Sequence, residues 1–197
     1  MNRRLSFRQY RNLDLFFFAV ILAFFEFVIV TAARSWFPGQ PFTVSAVAAV
    51  TALVLMRWGA WAAVHAVLGG LVFCAASGGT GPQFLIYCAG NLLCLAALGL
   101  LRLLGSETVR GDALLTMLFA ACVQLLMQLG RAGVAAAFGT PFVGCLDFLT
   151  TDALSTLFTV VILWISRRLD GIFENQKNYL LRQQEAKAGG EEKGGFE

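Results

Sequence analysis

Apolar residues run along this chain in six long stretches between Leu13 and Ile165, separated by short segments where glycine, proline or polar residues gather. A helix needs roughly 20 mostly apolar residues to cross about 30 Å of hydrocarbon, and at these lengths the pattern predicts membrane-spanning helices. The first runs from about Leu13 to Ala33, and Arg34-Ser-Trp-Phe-Pro-Gly-Gln40 follows as a turn with aromatic residues at the interface. The second covers about Pro41 to Met56. A very tight Arg57-Trp-Gly59 junction joins it to the third, which ends near Ala76, so the two are expected to form an antiparallel hairpin. Ser77-Gly-Gly-Thr-Gly-Pro82 makes a flexible loop, because its glycines admit dihedrals that other residues avoid and its proline stops a helix.

The fourth stretch takes Gln83 to Leu104 and is followed by a polar loop from Gly105 to Asp112. A fifth continues to about Phe138, and Gly139-Thr-Pro-Phe-Val-Gly144 leads into a sixth that ends at Arg167-Arg168. Beyond it, Leu169, Ile172, Phe173, Gln176, Tyr179 and Leu180 recur at helical spacing beside basic residues. That spacing predicts a juxtamembrane helix that lies on the headgroups, docks on a partner or extends the last span. From Ala186 onward, glycine pairs and charges predict disorder. The expected fold is therefore all-α, a polytopic membrane protein with a single bundle of six transmembrane helices in residues 1–168 and a cytoplasmic segment in residues 169–197.

Composition strengthens that reading. Of 197 residues 58% are hydrophobic and 14% charged, with a mean hydropathy of +0.71; a soluble domain is nearer half apolar with about a quarter charged. Six spans leave no room for a second folded domain. Every Lys and Arg except Arg34 and Arg131 falls at the two termini or in the second and fourth gaps. Basic residues hold the cytoplasmic side during insertion, which predicts both termini inside. The net charge of +3 is spent at helix ends and on anionic headgroups, so membrane lipid is an expected partner and nucleic acid is not. The opening run from Leu15 to Ala33 is too long for a signal-peptide core and is read as a retained helix. Cys74, Cys88, Cys94, Cys122 and Cys145 lie in or beside apolar spans with no Cys-x-x-Cys pair, and one histidine offers no metal-ligand spacing, so no cofactor or metal is expected.

The candidate chemistry is polar side chains set where lipid should be. Glu26 sits near the middle of an otherwise apolar helix, where a charged group costs about 2.5 to 3.5 kcal/mol unless it faces the interior and finds a partner. Arg131 is its candidate ion-pair partner. Gln124, Gln128 and Arg131 form one stripe on the fifth helix, Gln83, Tyr87 and Asn91 another on the fourth, and Asp147 and Asp152 open the sixth. Their shared depth in the outer halves predicts a water-reachable pocket, with Trp36 and Tyr87 available to stack on a ring. The competing expectation is that these groups only bind helices together, with Glu26 and Arg131 as one buried pair. His65 reads as a satisfied core histidine. Small residues recur at every fourth position, Ala19 and Ala23 in the first helix and Ala62, Ala66 and Gly70 in the third, which lets backbones approach closely.

This combination of six helices, both ends inside, an Ala19-x-x-x-Ala23 face and polar groups in the outer halves of helices four to six resembles the substrate-binding S component of an energy-coupling factor transporter. The likeness covers about Leu13 to Arg168. It implies a subunit of the bacterial inner membrane that captures a vitamin or precursor from outside and works with a transmembrane coupling subunit and two ATPase subunits. It also implies that Ala19 and Ala23 face the coupling subunit and that Trp36 with Phe37-Pro-Gly-Gln40 belongs to a lid. The chain carries no Gly-x-x-x-x-Gly-Lys-Ser/Thr run of its own and would borrow its ATPase. An alternative of similar size and topology is a non-transporting scaffold of the bacterial cell-shape or envelope machinery. An intramembrane enzyme is not expected, because no Gly-x-Ser-x-Gly, His-Glu-x-x-His or paired acidic motif is present.

Overall fold

The computed structural model describes residues 6–39 and 44–169 together with Gln176. Among these residues every regular element is helical: α1 (Phe7–Trp36), α2 (Val47–Trp58), α3 (Ala62–Ser77), α4 (Gly81–Asn91), α5 (Ala97–Leu104), α6 (Ser106–Gly111), α7 (Ala113–Ala137), α8 (Phe142–Thr150) and α9 (Ala153–Ser166). Five stretches are long and apolar enough to cross a membrane, namely Phe7–Trp36, Val47–Ser77, Gly81–Leu104, Ala113–Ala137 and Phe142–Ser166. The protein is a helical membrane protein.

The second of these stretches is folded back on itself. Gly59 adopts φ +60°, a conformation that L side chains avoid, and a short 3-10 turn over Gly59–Trp61 reverses the chain. In consequence Val47 packs on Gly69, where an added Cβ would come 2.5 Å from its Cγ1; along a straight rod the two would stand roughly 33 Å apart. The tight junction expected at Arg57-Trp-Gly59 is thus a true hairpin.

Helix α2 is the centre of the molecule. All of its 12 residues are buried, and its length of about 18 Å is well short of a hydrocarbon core. Because protein surrounds it on every side, it need not meet lipid, and its Val, Ala and Leu side chains form one core with Leu22, Phe119, Met127 and Leu163. It begins at Val47, later than the sequence pattern suggests, with Ala46 as its N-cap and the N–H groups of Ser45 and Ala46 bonded to other helices. Around it α1 packs on α3, α3 on α4, α4 on α7, and α7 on α9.

Two longer stretches are interrupted. Between α4 and α5 the chain tightens into a 3-10 segment, Leu92–Ala96. Between α8 and α9 the helix breaks at Thr151 and Asp152, where the Asp147 carbonyl accepts from both Thr151 N–H at 3.0 Å and Thr151 Oγ1 at 2.6 Å. The polar loop expected from Gly105 to Asp112 contains the short α6. Arg57 and Trp58 lie beside the start of α1, and Arg167 donates to the carbonyls of Arg110 and Gly111 at 2.9 and 2.6 Å. These contacts gather the described basic loops at one end of the bundle, called here the basic end. The expected juxtamembrane helix and tail lie outside the described residues except for Gln176, which is buried and accepts a hydrogen bond from Tyr10 at 3.2 Å.

Candidate functional site

The first buried polar group stands at the start of α2. A helix opens with backbone N–H groups that have no intrahelical acceptor, and in an apolar interior each needs one. Here Ala46 N–H donates to Glu26 Oε2 at 2.7 Å and Ser45 Oγ donates to Glu26 Oε1 at 2.8 Å. Ser45 N–H donates to Ser155 Oγ at 3.1 Å, and Val47 N–H to Ser45 Oγ at 3.2 Å. A carboxylate also complements the partial positive charge of a helix N-terminus. Glu26 is therefore a cap supplied in trans by α1.

The second group surrounds Arg131, which is 3% exposed. Its Nη1 pairs with Asp152 Oδ2 at 2.6 Å and its Nε donates to Asn91 Oδ1 at 2.7 Å. Asn91 Nδ2 in turn donates to the Ala66 carbonyl at 3.0 Å, and Gln124 Nε2 reaches Asp152 at 3.4 Å. The guanidinium lies over the Tyr87 ring at 4.7 Å, and Tyr87 stacks on Phe73 at 4.6 Å. The broken helix at Asp152 and a close crossing of α4 over α7 make this arrangement possible. At that crossing Gly90 and Gly130 meet backbone to backbone; a Cβ on Gly130 would run into the Gly90 carbonyl, and one on Gly90 would stand 2.5 Å from Arg131 N.

The expected ion pair between Glu26 and Arg131 is corrected by these contacts. The counter-ion of Arg131 is Asp152, which also sits in the polar stripe, while Glu26 is engaged by Ser45 and the start of α2. Of the candidate lining residues, Tyr87, Asn91, Gln124, Arg131 and Asp152 converge. Gln128 is buried next to them along α7, and its Nε2 has no hydrogen-bond partner. Gln83 and Asp147 do not join them. Gln83 is exposed and closes a capping box with Thr80, whose N–H donates to its Oε1 at 2.7 Å. Asp147 is exposed on α8, and Trp36 is 75% exposed at the end of α1. Ala62 and Ala66 are buried and Gly70 lies against the backbone of Tyr87 and Cys88, so the small-residue face of α3 serves packing within the bundle. Ala19 and Ala23 on α1 are half-buried.

The converged polar side chains are engaged with one another. The space lies beside them: a cavity of about 740 Å³ between α1, α3 and the start of α9, at the end opposite the basic end. Val30, Arg34, Phe37, Val44, Phe73 and Leu154 are among its walls. Phe73 separates it from Tyr87 and the Arg131 network. Phe37, Pro38 and Gly39 of the turn after α1 border it, and Trp36 does not.

A third cluster, which sequence reasoning missed, lies at the basic end. Asp14 accepts from Arg57 Nε and Nη2 at 3.1 and 2.9 Å and from Trp58 Nε1 at 2.6 Å. An aspartate followed by a basic-aromatic pair at a predicted hairpin tip was the available signal. His65, fully buried, places Nε2 3.0 Å from the Leu15 carbonyl. Among the described residues no group of three or more His, Cys, Asp or Glu could hold a metal ion. No protein-family model matches the chain, and neither a curated protein nor a solved structure matches it.

Proposed function

We propose that this chain is the membrane-embedded solute-capture subunit of an importer of the energy-coupling factor type, with six spans and both termini on the cytoplasmic side of a bacterial inner membrane. The observation that carries the reading is the cavity of about 740 Å³ bordered by the turn after α1, a volume within the range of about 300–1,000 Å³ that small ligands occupy. On this reading the cavity faces outward, because the basic end faces the cytoplasm. The Arg131 network and the Glu26 cap act as its frame, holding α1, α4, α7 and α9 around α2. The solute is a vitamin or precursor, and a coupling subunit with two ATPase subunits supplies the energy, Ala19 and Ala23 of α1 lying at that contact.

The test is a thermal-shift screen of the purified chain against vitamins and their precursors. A ligand at a hundred times its Kd stabilises by about 2.7 kcal/mol, so a true substrate raises the unfolding midpoint, and Leu154→Trp, which narrows the cavity, reduces that rise. No shift across a broad panel contradicts the proposal. A second reading, the non-transporting scaffold, is favoured by one observation: Arg131 is bonded to both Asp152 and Asn91 within the bundle. A scaffold retains its activity in cells when Leu154→Trp narrows the cavity, and a capture subunit loses part of its activity.

A further inference from the structure

The cavity has an asymmetry that bears on what it holds, and the argument rests on the capture reading above. The sequence pattern suggests a polar or zwitterionic solute held by Arg131 and the aspartates, but those groups bind each other. The cavity itself is walled by Val30, Phe37, Val44, Phe73 and Leu154, and among the described residues that line it Arg34 carries the single charged side chain. Arg34 is exposed, which puts it at the rim. Its Nη1 donates to the Ala76 carbonyl at 2.8 Å, so the negative end of α3 holds the guanidinium in place. Gly78 turns away at φ +72°, and a Cβ there would lie 3.4 Å from Arg34 Nη1. The glycine leaves room for the guanidinium to lie over the helix end. Among the described residues no carboxylate pairs with Arg34.

From this the geometry points to a ligand with an apolar body and one anionic oxyacid head: the body fills the space under Phe37 and against Phe73, and the head binds the free edge of the Arg34 guanidinium. A fixed guanidinium beside a low-dielectric wall recognises carboxylate or phosphate oxygens strongly and penalises a neutral isostere. The same chemistry could come from a soluble organic acid or from an anionic lipid entering between α1 and α9.

The experiment measures equilibrium binding to the full chain in phosphatidylcholine nanodiscs, using matched probes: 2-naphthoate against 2-naphthamide and decanoate against decanamide. At least one acid is expected to bind saturably and about tenfold or more tighter than its amide. Arg34→Gln is expected to abolish that preference, Arg34→Lys to retain part of it, and Leu154→Trp to weaken acid and amide alike. Phosphatidylglycerol added to the nanodiscs separates the sources: loss of acid binding makes lipid the natural occupant, and unchanged binding makes it a soluble acid. Should Arg34→Gln fail to fold, the acid-to-amide ratio of the native chain and of Arg34→Lys still decides. Equal affinity for acid and amide, no saturable binding of either pair, or a preference that survives Arg34→Gln overturns the proposal. Failure of the importer reading looks different: solute uptake with coupling proteins is then absent while the acid preference at Arg34 persists.

Discussion

Replacing Glu26 removes the cap from a helix that starts inside the bundle. Glu26→Leu keeps the volume and leaves two donors, Ala46 N–H and Ser45 Oγ, without the acceptors that now stand 2.7 and 2.8 Å away. A stranded buried donor costs about 1–3 kcal/mol, so the substitution costs roughly 2–6 kcal/mol in total. That is a large share of the stability of about 5–15 kcal/mol usual for a folded chain. Glu26→Gln retains one acceptor oxygen and loses the interaction of charge with the helix N-terminus, which is worth at most about 2 kcal/mol. The expected order is native, then Gln, then Leu. Reversible unfolding in mixed micelles, followed by the fluorescence of Trp58 in the fully buried α2, reads the series. A Leu variant within about 0.5 kcal/mol of native, the scatter of ordinary surface changes, or one no worse than the Gln variant, refutes the assignment of Glu26 as the cap of α2.

Three further outcomes follow from other parts of the bundle. Arg131→Met removes the counter-ion of the Asp152 carboxylate and is expected to cost about 3–5 kcal/mol, with Arg131→Met/Asp152→Leu more stable than the single variant; a double-mutant cycle checks it, and a coupling larger for Glu26 with Arg131 than for Asp152 with Arg131 contradicts the pairing described. Gly130→Ala drives a methyl into the Gly90 carbonyl and is expected to lower stability by about 1–3 kcal/mol, whereas Gly133→Ala, whose Cβ meets nothing, is expected to be neutral in the same unfolding assay. Asp14→Leu removes the acceptor of Arg57 and Trp58 and is expected to shift Trp58 fluorescence and cost about 1–3 kcal/mol, while Leu13→Ala on the exposed face of α1 is expected to change the spectrum little.

What the sequence revealed depended on whether a side chain's partner was another side chain at helical spacing. Asn91, Gln124 and Arg131 stand out because each is a polar residue on an apolar helix at a shared depth, and the hairpin at Gly59 stands out because a glycine beside Arg57 and Trp58 punctuates the apolar run. The role of Glu26 was hidden, since one of its acceptors serves a backbone N–H, and the start of α2 at Val47 has only Ser45 ahead of it as a marker in an apolar run. Gln83 and Asp147 looked like pocket residues by depth alone; the Thr80 capping box explains Gln83 instead, and Asp147 lies on the exposed side of α8. Gly90 and Gly130 passed unnoticed because neither belongs to a run of small residues at every fourth position, although their crossing sets Arg131 beside Asn91. The cavity was illegible for a simpler reason: its walls are mostly the same Val, Phe and Leu residues that elsewhere face lipid.

The most direct test of a cavity open to the exterior is thiol accessibility at Ser77, one of its lining residues. With the five native cysteines replaced, Ser77→Cys in intact cells is predicted to react with a membrane-impermeant methanethiosulfonate, faster with an anionic reagent than a cationic one, and to be shielded when Leu154→Trp is added. Reaction only after the membrane is permeabilised, or a rate untouched by Leu154→Trp, would contradict the account.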